Sequence, residues 1–322
     1  MRRWLFAIGF ALTSVAGASA QNYPTKPITV IVPFPAGGPT DAILRNIGDR
    51  MRASLGQPLV AEYVTGASGT IGVGRGARAA PDGYTIVCGH VGTFVTSPAV
   101  YPVQYDVVKD FAPISLLPSN SYLIVGSKKL PPANLRELIA YIKANPGKVT
   151  AAIPGIATSP HLAGLHIQKL ADSTLQYVPY RGTGPAMIDL IAGQIDLMID
   201  QAQNSINHVR SGAIKAYAVA APTRLASAPD IPTVDEAGAP GLYVSLWYGF
   251  WAPVGTPAPI IKKLSAAVQD ALADPEVRSR LADLGMDIPP REQQTPEALA
   301  AKQKAEIDKW WPIIKAAGLK VQ

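Results

Sequence analysis

The stretch Ile28–Arg45 reads ITVIVPFPAGGPTDAILR and sets the pattern for the rest of the chain. It starts as an apolar, β-branched run typical of a buried strand, turns through Pro33–Pro39, and enters a helix whose apolar residues keep helical spacing as far as Leu55, before Gly56. Such a turn directs the unpaired amides of the first helical turn, with the positive end of the helix dipole, at one point. We therefore expect this corner to bind a carboxylate.

The same order of strand, polar corner and helix recurs along the chain. Glycine turns between strand and helix also occur in many α/β proteins that bind nothing there, so one corner alone is a weak indication. Repetition strengthens it, because ligands of open α/β sheets bind outside the carboxyl ends of the strands. The further corners are Gly66–Gly72, Gly89–Thr93, Pro154–His161, Pro179–Pro185 and Asp200–Asn204.

These repeats, joined by short connections, predict an α/β fold with mainly parallel sheets flanked by helices. The chain of 322 residues is large for a single core, so we expect two lobes. The sequence pattern of the C-terminal segment is more like that of the first lobe than that of the second. We predict that lobe 1 comprises residues 21–122 and 245–322 and lobe 2 residues 123–244, with two hinge crossings near Leu117–Tyr122 and Leu242–Trp247.

The first twenty residues have the pattern of a cleaved signal peptide. Arg2 and Arg3 precede the apolar run Trp4–Val15, and Ala18-Ser19-Ala20 forms a cleavage site of the A-x-A type. The apolar run is too short to span a bilayer comfortably. We therefore expect residues 1–20 to be removed on export to the periplasm.

The remaining composition excludes several classes of protein. The signal segment takes two of the 29 basic residues and none of the 23 acidic ones, which lowers the formal charge from +6 to +4. Lys and Arg are scattered rather than arranged in a stripe, so we expect no nucleic-acid binding. The only cysteine, Cys88, cannot form an internal disulfide, and its strand-like surroundings predict a small buried apolar side chain.

Motifs for catalysis, metals and cofactors are absent from the sequence. Gly66-Ala67-Ser68-Gly69 lacks the G-x-S-x-G spacing, and Gly72–Gly76 is not G-x-G-x-x-G. His161 and His166 are five residues apart and would not share a helix face. We expect a protein that is not an enzyme and has no metal or cofactor. The alternative is a periplasmic serine hydrolase that uses Ser68 or Ser159 with His90 or His161.

The polar corners instead supply donors for an anionic ligand. The planar guanidinium of Arg181 could bind a carboxylate through two parallel hydrogen bonds. An ion pair with Asp189 or Asp200 accounts for the presence of this arginine almost as well. Asp41 more readily caps its helix than contacts a ligand. Tyr180 and Phe34 could enclose an apolar ligand body or pack in the core. The predicted ligand-binding residues are Phe34, Pro35, Ala36, Gly37, Gly38, Thr40, Ser68, Thr70, His90, Thr93, Thr158, Ser159, Tyr180, Arg181, Gly182, Thr183 and Asp200.

At these corners the sequence resembles the Bug (Bordetella uptake gene) type of solute-binding protein, which serves tripartite tricarboxylate transporters of the TctC family. The resemblance covers nearly all of the chain after the signal segment. Its motifs are YPTKPITVIVPFPAGGPTD (23–41), the 66–72 corner, PDGYT (81–85), VPYRGTGPA (178–186), GQID (193–196), IPTVDEAG (231–238) and APVGTP (252–257).

The resemblance implies a two-lobed periplasmic binding protein that closes on a small carboxylate and delivers it to a membrane permease. It assigns carboxylate binding to the Pro35–Thr40 loop, largely through backbone groups and water, with the corners of the second lobe completing the cleft. A di- or tricarboxylate or an aromatic acid would fit, and a ligand-sensing signalling role is an alternative. We expect a monomer. The sequence departs from the family pattern in PGIATSPH (154–161) and in the bulky His90.

Overall fold

The computed structural model describes residues 22–155, 158–180, 183–225 and 227–320. The predicted signal peptide lies outside these residues. The strands are β1 (Ile28–Val32), β2 (Leu59–Tyr63), β3 (Thr85–His90), β4 (Phe111–Ser127), β5 (Thr150–Ile153), β6 (Gln176–Pro179), β7 (Leu197–Gln201), β8 (Ile214–Val219) and β9 (Ser245–Pro253).

The α-helices within the described residues are α1 (Pro39–Leu55), α2 (Thr70–Ala77), α3 (Ser97–Val100), α4 (Leu135–Ala144), α5 (Ser159–Ala171), α6 (Thr183–Ala192), α7 (Ala202–Arg210), α8 (Ala258–Ala273), α9 (Pro275–Asp283) and α10 (Pro296–Ala316). A π-helical turn, Gly92–Thr96, links β3 to α3. The helix predicted after the first corner is confirmed as α1, and Gly56 ends it in the left-handed conformation that glycine adopts without strain.

The strands form two sheets that share β4. The first sheet has the order β2-β1-β3-β9-β4, and in the second β4 pairs with β7 and β8 while β5 and β6 extend the edge beyond β7. Helices α1, α8 and α9 pack together, and the core beneath them contains Ile43, Leu264 and Phe250. The second sheet has its own apolar cluster, which includes Leu123, Met198 and Leu190.

The sheets are mixed rather than mainly parallel. The pairings β1–β2, β1–β3, β5–β6 and β5–β7 are parallel, as the corner repeats predict. Strands β4 and β9, however, run antiparallel to each other, and each is antiparallel to its other neighbours. The sequence expectation is wrong on this point, because β4 and β9 carry the chain between the two sheets and pair antiparallel with the strands they meet.

The two passages between the sheets lie side by side. Ser121 of β4 pairs with Ser245 of β9 in the first sheet, and the next residue, Tyr122, pairs with Gln201 of β7 in the second. On the return, the amide of Val244 donates to the carbonyl of Ala220 immediately before β9 begins. One short region of the molecule therefore holds both connections.

Candidate functional site

A cavity of about 330 Å³ lies between the two sheets, at the ends of strands from both. It is where the polar corners of the first and second halves of the chain meet. Seven of the predicted binding residues line it, namely Phe34, Ser68, His90, Thr158, Ser159, Thr183 and Asp200. The cavity thus brings together the core of the predicted set from both lobes.

Several residues of this wall were not predicted. Thr96 and Ser97 belong to the π-helical turn and the start of α3, which directly continue the third corner, so extending that corner by a turn would have found them. Tyr122 and Leu246 lie on the passages between sheets, which the sequence analysis treated only as hinges. The unpredicted lining residues are Gly92, Thr96, Ser97, Tyr101, Tyr122, Pro154, Pro160, Gln201 and Leu246.

The first corner reaches this cavity through Phe34 alone. Pro35, Ala36 and Gly37 are exposed and Thr40 is buried, and neither they nor Gly38 are among the described residues that line the cavity. Their binding of a carboxylate therefore stays a prediction.

The amides of this corner already have an acceptor in the chain. The Asp41 carboxylate, 1% exposed, accepts from the Gly37 amide at 2.7 Å and from the Tyr63 hydroxyl at 2.7 Å, and it pairs with Arg45 at 3.0 Å. Gly38 is the N-cap, so Asp41 stabilises the helix start by reaching back from the first turn rather than as the cap residue itself. The Gly37 amide is consequently not free for a ligand.

Three more predicted residues are engaged within their own lobes. The Thr70 hydroxyl donates to the Ala67 carbonyl at 2.9 Å, and the buried Thr93 hydroxyl exchanges hydrogen bonds with the backbone of His90. The Tyr180 hydroxyl donates to Asp189 at 2.6 Å, and burial together with that carboxylate raises the pKa of Tyr180 to about 12. Arg181 and Gly182 lie outside the described residues, and their binding role stays a prediction.

Ser68 occupies a left-handed backbone conformation at the cavity wall, with φ of 53°. Its hydroxyl lies 2.9 Å from the Tyr101 hydroxyl, and its carbonyl accepts from Ser97 at 3.2 Å. A non-glycine residue in this region costs about 1–2 kcal/mol, so these contacts hold Ser68 in place against strain. The second corner is thereby tied to α3.

His90 is held by contacts on three sides. Its ring stacks on Phe34 with centroids 4.6 Å apart and meets the edge of Tyr248 at 5.7 Å. Nδ1 accepts from the Gly92 amide at 2.8 Å. Burial lowers the pKa of His90 to about 4, so its imidazole is neutral near pH 7.

Asp200 supplies the acidic group of the cavity wall. It is 1% exposed, and its oxygens accept from Ser205 at 2.7 Å and Asn204 at 3.3 Å. Burial raises the pKa of Asp200, because the hydrogen bonds only partly offset the loss of solvation. Its hydrogen bonds to the side chains of Ser205 and Asn204 tie the end of β7 to the first turns of α7 at the cavity wall.

These contacts do not form the serine–histidine pair that a hydrolase would need at His90. Ser68 pairs with Tyr101, and a hydrogen bond links Ser159 to Tyr122. His90 uses Nδ1 for the Gly92 amide. Among the described residues, no group of histidine, cysteine, aspartate or glutamate side chains could hold a metal ion.

A wider groove of about 660 Å³ lies elsewhere, on the first lobe between α8 and the start of α10. It is mainly apolar and includes Ala112, Ile261 and Gln269, but none of the predicted binding residues. The inter-lobe cavity is therefore the candidate binding site. Over the described part of the chain, no helix has the length and hydropathy needed to cross a membrane.

Two α/β lobes joined by paired strands around one cavity define a solute-binding protein of the periplasmic type. Residues 43–319 match the model of the tripartite tricarboxylate transporter family receptor, TctC, and the chain belongs to that family. The family resemblance and the two-lobed α/β fold inferred from the sequence are thereby confirmed.

Solved structures of similar proteins agree with this assignment. The periplasmic binding protein BugD is 42% identical, covers 93% of this chain and 100% of its own, and has a TM-score of 0.74. MatC from Rhodopseudomonas palustris, solved with bound malate, is 41% identical over 91% of this chain and 100% of its own, with a TM-score of 0.74. Rpa4515 from R. palustris, solved with adipate, is 30% identical over 92% and 99%, with a TM-score of 0.76.

Proposed function

We propose that this protein captures a small organic carboxylate between its lobes in the periplasm and delivers it to the membrane permease of a tripartite transporter. Malate and adipate, the ligands of the two R. palustris relatives, are both carboxylates. The protein acts as a binding protein rather than an enzyme, is a monomer, and reaches the periplasm after loss of residues 1–20.

The observation that carries this proposal is that two helices of the second lobe begin at the cavity wall. Helix α5 starts at Ser159 and α6 at Thr183, and both residues line the cavity. The Thr158 hydroxyl donates to the Gly155 carbonyl at 2.8 Å instead of capping α5. First-turn amides have no partner within their own helix, so they can donate to a carboxylate in the cavity.

The hinge of this binding protein lies where β4 and β9 pass between the sheets. We assign residues 21–122 and 245–322 to the first lobe and 123–244 to the second, and support comes from the pairing of Ser121 with Ser245 beside that of Tyr122 with Gln201. Because Phe34 and Thr183 line the same cavity from opposite lobes, a bound ligand would bridge them and favour closure.

A thermal-shift screen of the mature protein over small organic acids tests this function. A ligand present at a hundred times its dissociation constant raises the free energy of unfolding by about 2.7 kcal/mol, which shifts the melting temperature measurably. The panel comprises malate, adipate, citrate, benzoate and 4-hydroxybenzoate, with the matching neutral amides as controls. If no acid shifts the melting temperature more than its amide, the proposal is wrong.

Arg181 provides a second test, which rests on the sequence and the family resemblance. We expect Arg181→Ala to weaken binding of the best acid at least about tenfold, because a charge-assisted bidentate contact would be lost. The matched control is Arg52→Ala on the exposed side of α1. If calorimetry gives the same affinity for both variants, Arg181 does not contribute to carboxylate binding.

A further inference from the structure

The last helix, α10, contacts the backbone of the cavity wall, although none of its residues is among the described lining of the cavity. The part of the wall that it contacts is the π-helical turn Gly92–Thr96, and both Thr96 and the following Ser97 line the cavity. Two side chains of α10, Gln303 and Trp311, donate to carbonyls of this turn. The wall is therefore held partly from outside the cavity.

Pro98 explains why this turn accepts donors from elsewhere in the chain. In an α-helix its amide would bond to the carbonyl of Phe94, four residues earlier, but proline has no amide N–H. The amide of Ser97 donates to the carbonyl of Gly92, five residues back, which is the π-helical pattern. Because a buried carbonyl without a donor is costly, the missing amide favours a partner for Phe94 from another element.

Gln303 supplies that donor. Its Nε2 donates to the carbonyl of Phe94 at 3.2 Å and to that of Val107 at 3.0 Å, and its Oε1 accepts from the indole of Trp251 at 3.1 Å. The indole N–H can only donate, so it fixes the orientation of the amide. Trp251 also stacks on the Phe94 ring, with centroids 3.7 Å apart. Both ends of the buried glutamine side chain are thereby engaged, and the turn is held against the core of the first lobe.

Trp311 binds the next carbonyl of the turn. Its indole N–H donates to the carbonyl of Val95 at 2.8 Å, although the residue is 39% exposed. The indole N–H of the neighbouring Trp310 instead donates to Glu306, within α10, at 2.6 Å. Of these two adjacent tryptophans, Trp311 is thus the one that is hydrogen-bonded to the cavity wall.

We propose that Gln303 and Trp311 are positioning residues for ligand binding. Their hydrogen bonds keep the π-helical turn in the shape that places Thr96 and Ser97 in the cavity wall. This inference rests on the proposed function and applies to whichever acid the cavity binds. Ser97 also donates to the Ser68 carbonyl at 3.2 Å, so a turn released from α10 would release the second corner as well. Only part of the population would then have the binding shape, which lowers the apparent affinity.

Calorimetry on Trp311→Phe tests this role, because the substitution keeps an aromatic ring and removes the indole N–H. The probe is the acid with the largest thermal shift among malate, adipate, citrate, benzoate and 4-hydroxybenzoate. We expect its affinity to fall about three- to tenfold, the equivalent of one hydrogen bond. Trp310→Phe is the matched control. It should leave the affinity nearly unchanged, even though Trp310 is buried and its loss lowers the melting temperature at least as much.

The outcomes distinguish this inference from the proposed function. If Trp311→Phe binds the acid as tightly as the unmodified protein, the positioning role is wrong while the proposed function stands. An equal loss of affinity in both tryptophan variants also overturns the positioning role, because the loss would then follow stability alone. If no acid of the panel binds the unmodified protein, the proposed function fails and the positioning role fails with it.

Gln303→Met tests the second donor, since it replaces the amide by an apolar chain of similar length. We expect it to weaken binding at least as much as Trp311→Phe does. Unchanged affinity in a folded Gln303→Met protein would overturn the role of Gln303. The substitution also leaves the Trp251 indole and two carbonyls without this partner in the core, so a measurement on the unmodified protein covers the case in which the variant does not fold.

Hydrogen exchange at the Trp311 indole N–H is that measurement. Coupling between two sites is reciprocal, so a hydrogen bond that raises the affinity is itself stabilised by the bound acid. At saturation with the acid, exchange of this N–H should slow by the same factor of about three to ten. An unchanged exchange rate would show that the turn and the cavity are not coupled through Trp311.

Discussion

At the scale of single residues, Asp41 shows what a sequence pattern leaves open. The pattern around Pro33–Pro39 predicts the turn, the helix and the positive character of its start, and the first two are confirmed. It does not show that a carboxylate four residues after Gly37 folds back onto that glycine's amide. Side-chain direction depends on the packing of Tyr63 and Arg45, which come from the neighbouring strand and the next helical turn.

We expect Asp41→Asn to lower the free energy of unfolding by about 1–3 kcal/mol at pH 7, because a buried carboxylate with several donors is lost. Burial alone would raise the pKa of Asp41, but hydrogen bonds from Gly37 and Tyr63 and the charge of Arg45 lower it overall. Its contribution is therefore present above the unfolded pKa of about 3.9 and is lost as the pH falls through the folded value.

Urea unfolding at pH 7 and pH 3 measures the effect of Asp41→Asn. The difference from the unmodified protein should be smaller at pH 3. Asp49→Asn on the exposed side of the same helix is the control. If the two proteins differ by the same free energy of unfolding at both pH values, the lowered pKa of Asp41 does not contribute to stability as proposed.

At the scale of elements, α2 is a helix whose glycine content gives it a low intrinsic helix propensity. Its glycines Gly72, Gly74 and Gly76 are poor helix formers unless the helix packs very close to a neighbour or a ligand, and in the structure all three lie close to neighbouring protein atoms. A Cβ at Gly72 would lie 2.6 Å from the Val64 carbonyl oxygen, and one at Gly76 would lie 2.3 Å from Val87. The π-helical turn after β3 was not predicted, because its five residues are too few to show an amphipathic period.

Gly72→Ala should therefore destabilise the protein by about 1–3 kcal/mol, since the obstructing atom is backbone and cannot rotate away. Gly48→Ala in α1 is the matched control. No atom lies within 4 Å of its Cβ position, so we expect a gain of about 0.5–1 kcal/mol from helix propensity. Chemical unfolding of both variants measures the sign of the change in the free energy of unfolding for each. A destabilised Gly48→Ala would contradict the explanation by close packing at Gly72.

At the scale of the whole molecule, the sequence predicts two lobes and a shared cleft but not how the sheets are joined. The corner repeats give the parallel pairs of each lobe, whereas the antiparallel pairing of β4 and β9 depends on residues far apart in sequence, such as Ser121 and Ser245. For the same reason Tyr122 and Leu246 were not predicted as parts of the cavity wall.

Beside the hinge, Gln203 of α7 contacts both Asn120 of β4 and the loop after α9. Gln203 accepts from Asn120 at 2.8 Å and packs on Gly285, whose carbonyl also accepts from Asn120 at 3.3 Å. We expect Gln203→Ala to weaken ligand binding about threefold without touching the ligand, because it removes a hydrogen bond between the lobes. Asn207→Ala, one turn further along α7, is the control.

Calorimetry with the best acid, paired with small-angle scattering, measures this effect. The variant should have a larger radius of gyration than the unmodified protein in the absence of ligand, and the two should converge at saturation. If affinity falls while the radius in the absence of ligand is unchanged, the contact does not influence opening.

Strand β4 runs for 17 residues and serves as a member of both sheets. Its residues up to Ser121 pair with β9, and those from Tyr122 onward pair with β7 and β8, so each half of the molecule contains part of the same strand. Neither half could then be cut out as an autonomous fragment, and heating should melt the protein in a single calorimetric peak whose van't Hoff and calorimetric enthalpies agree.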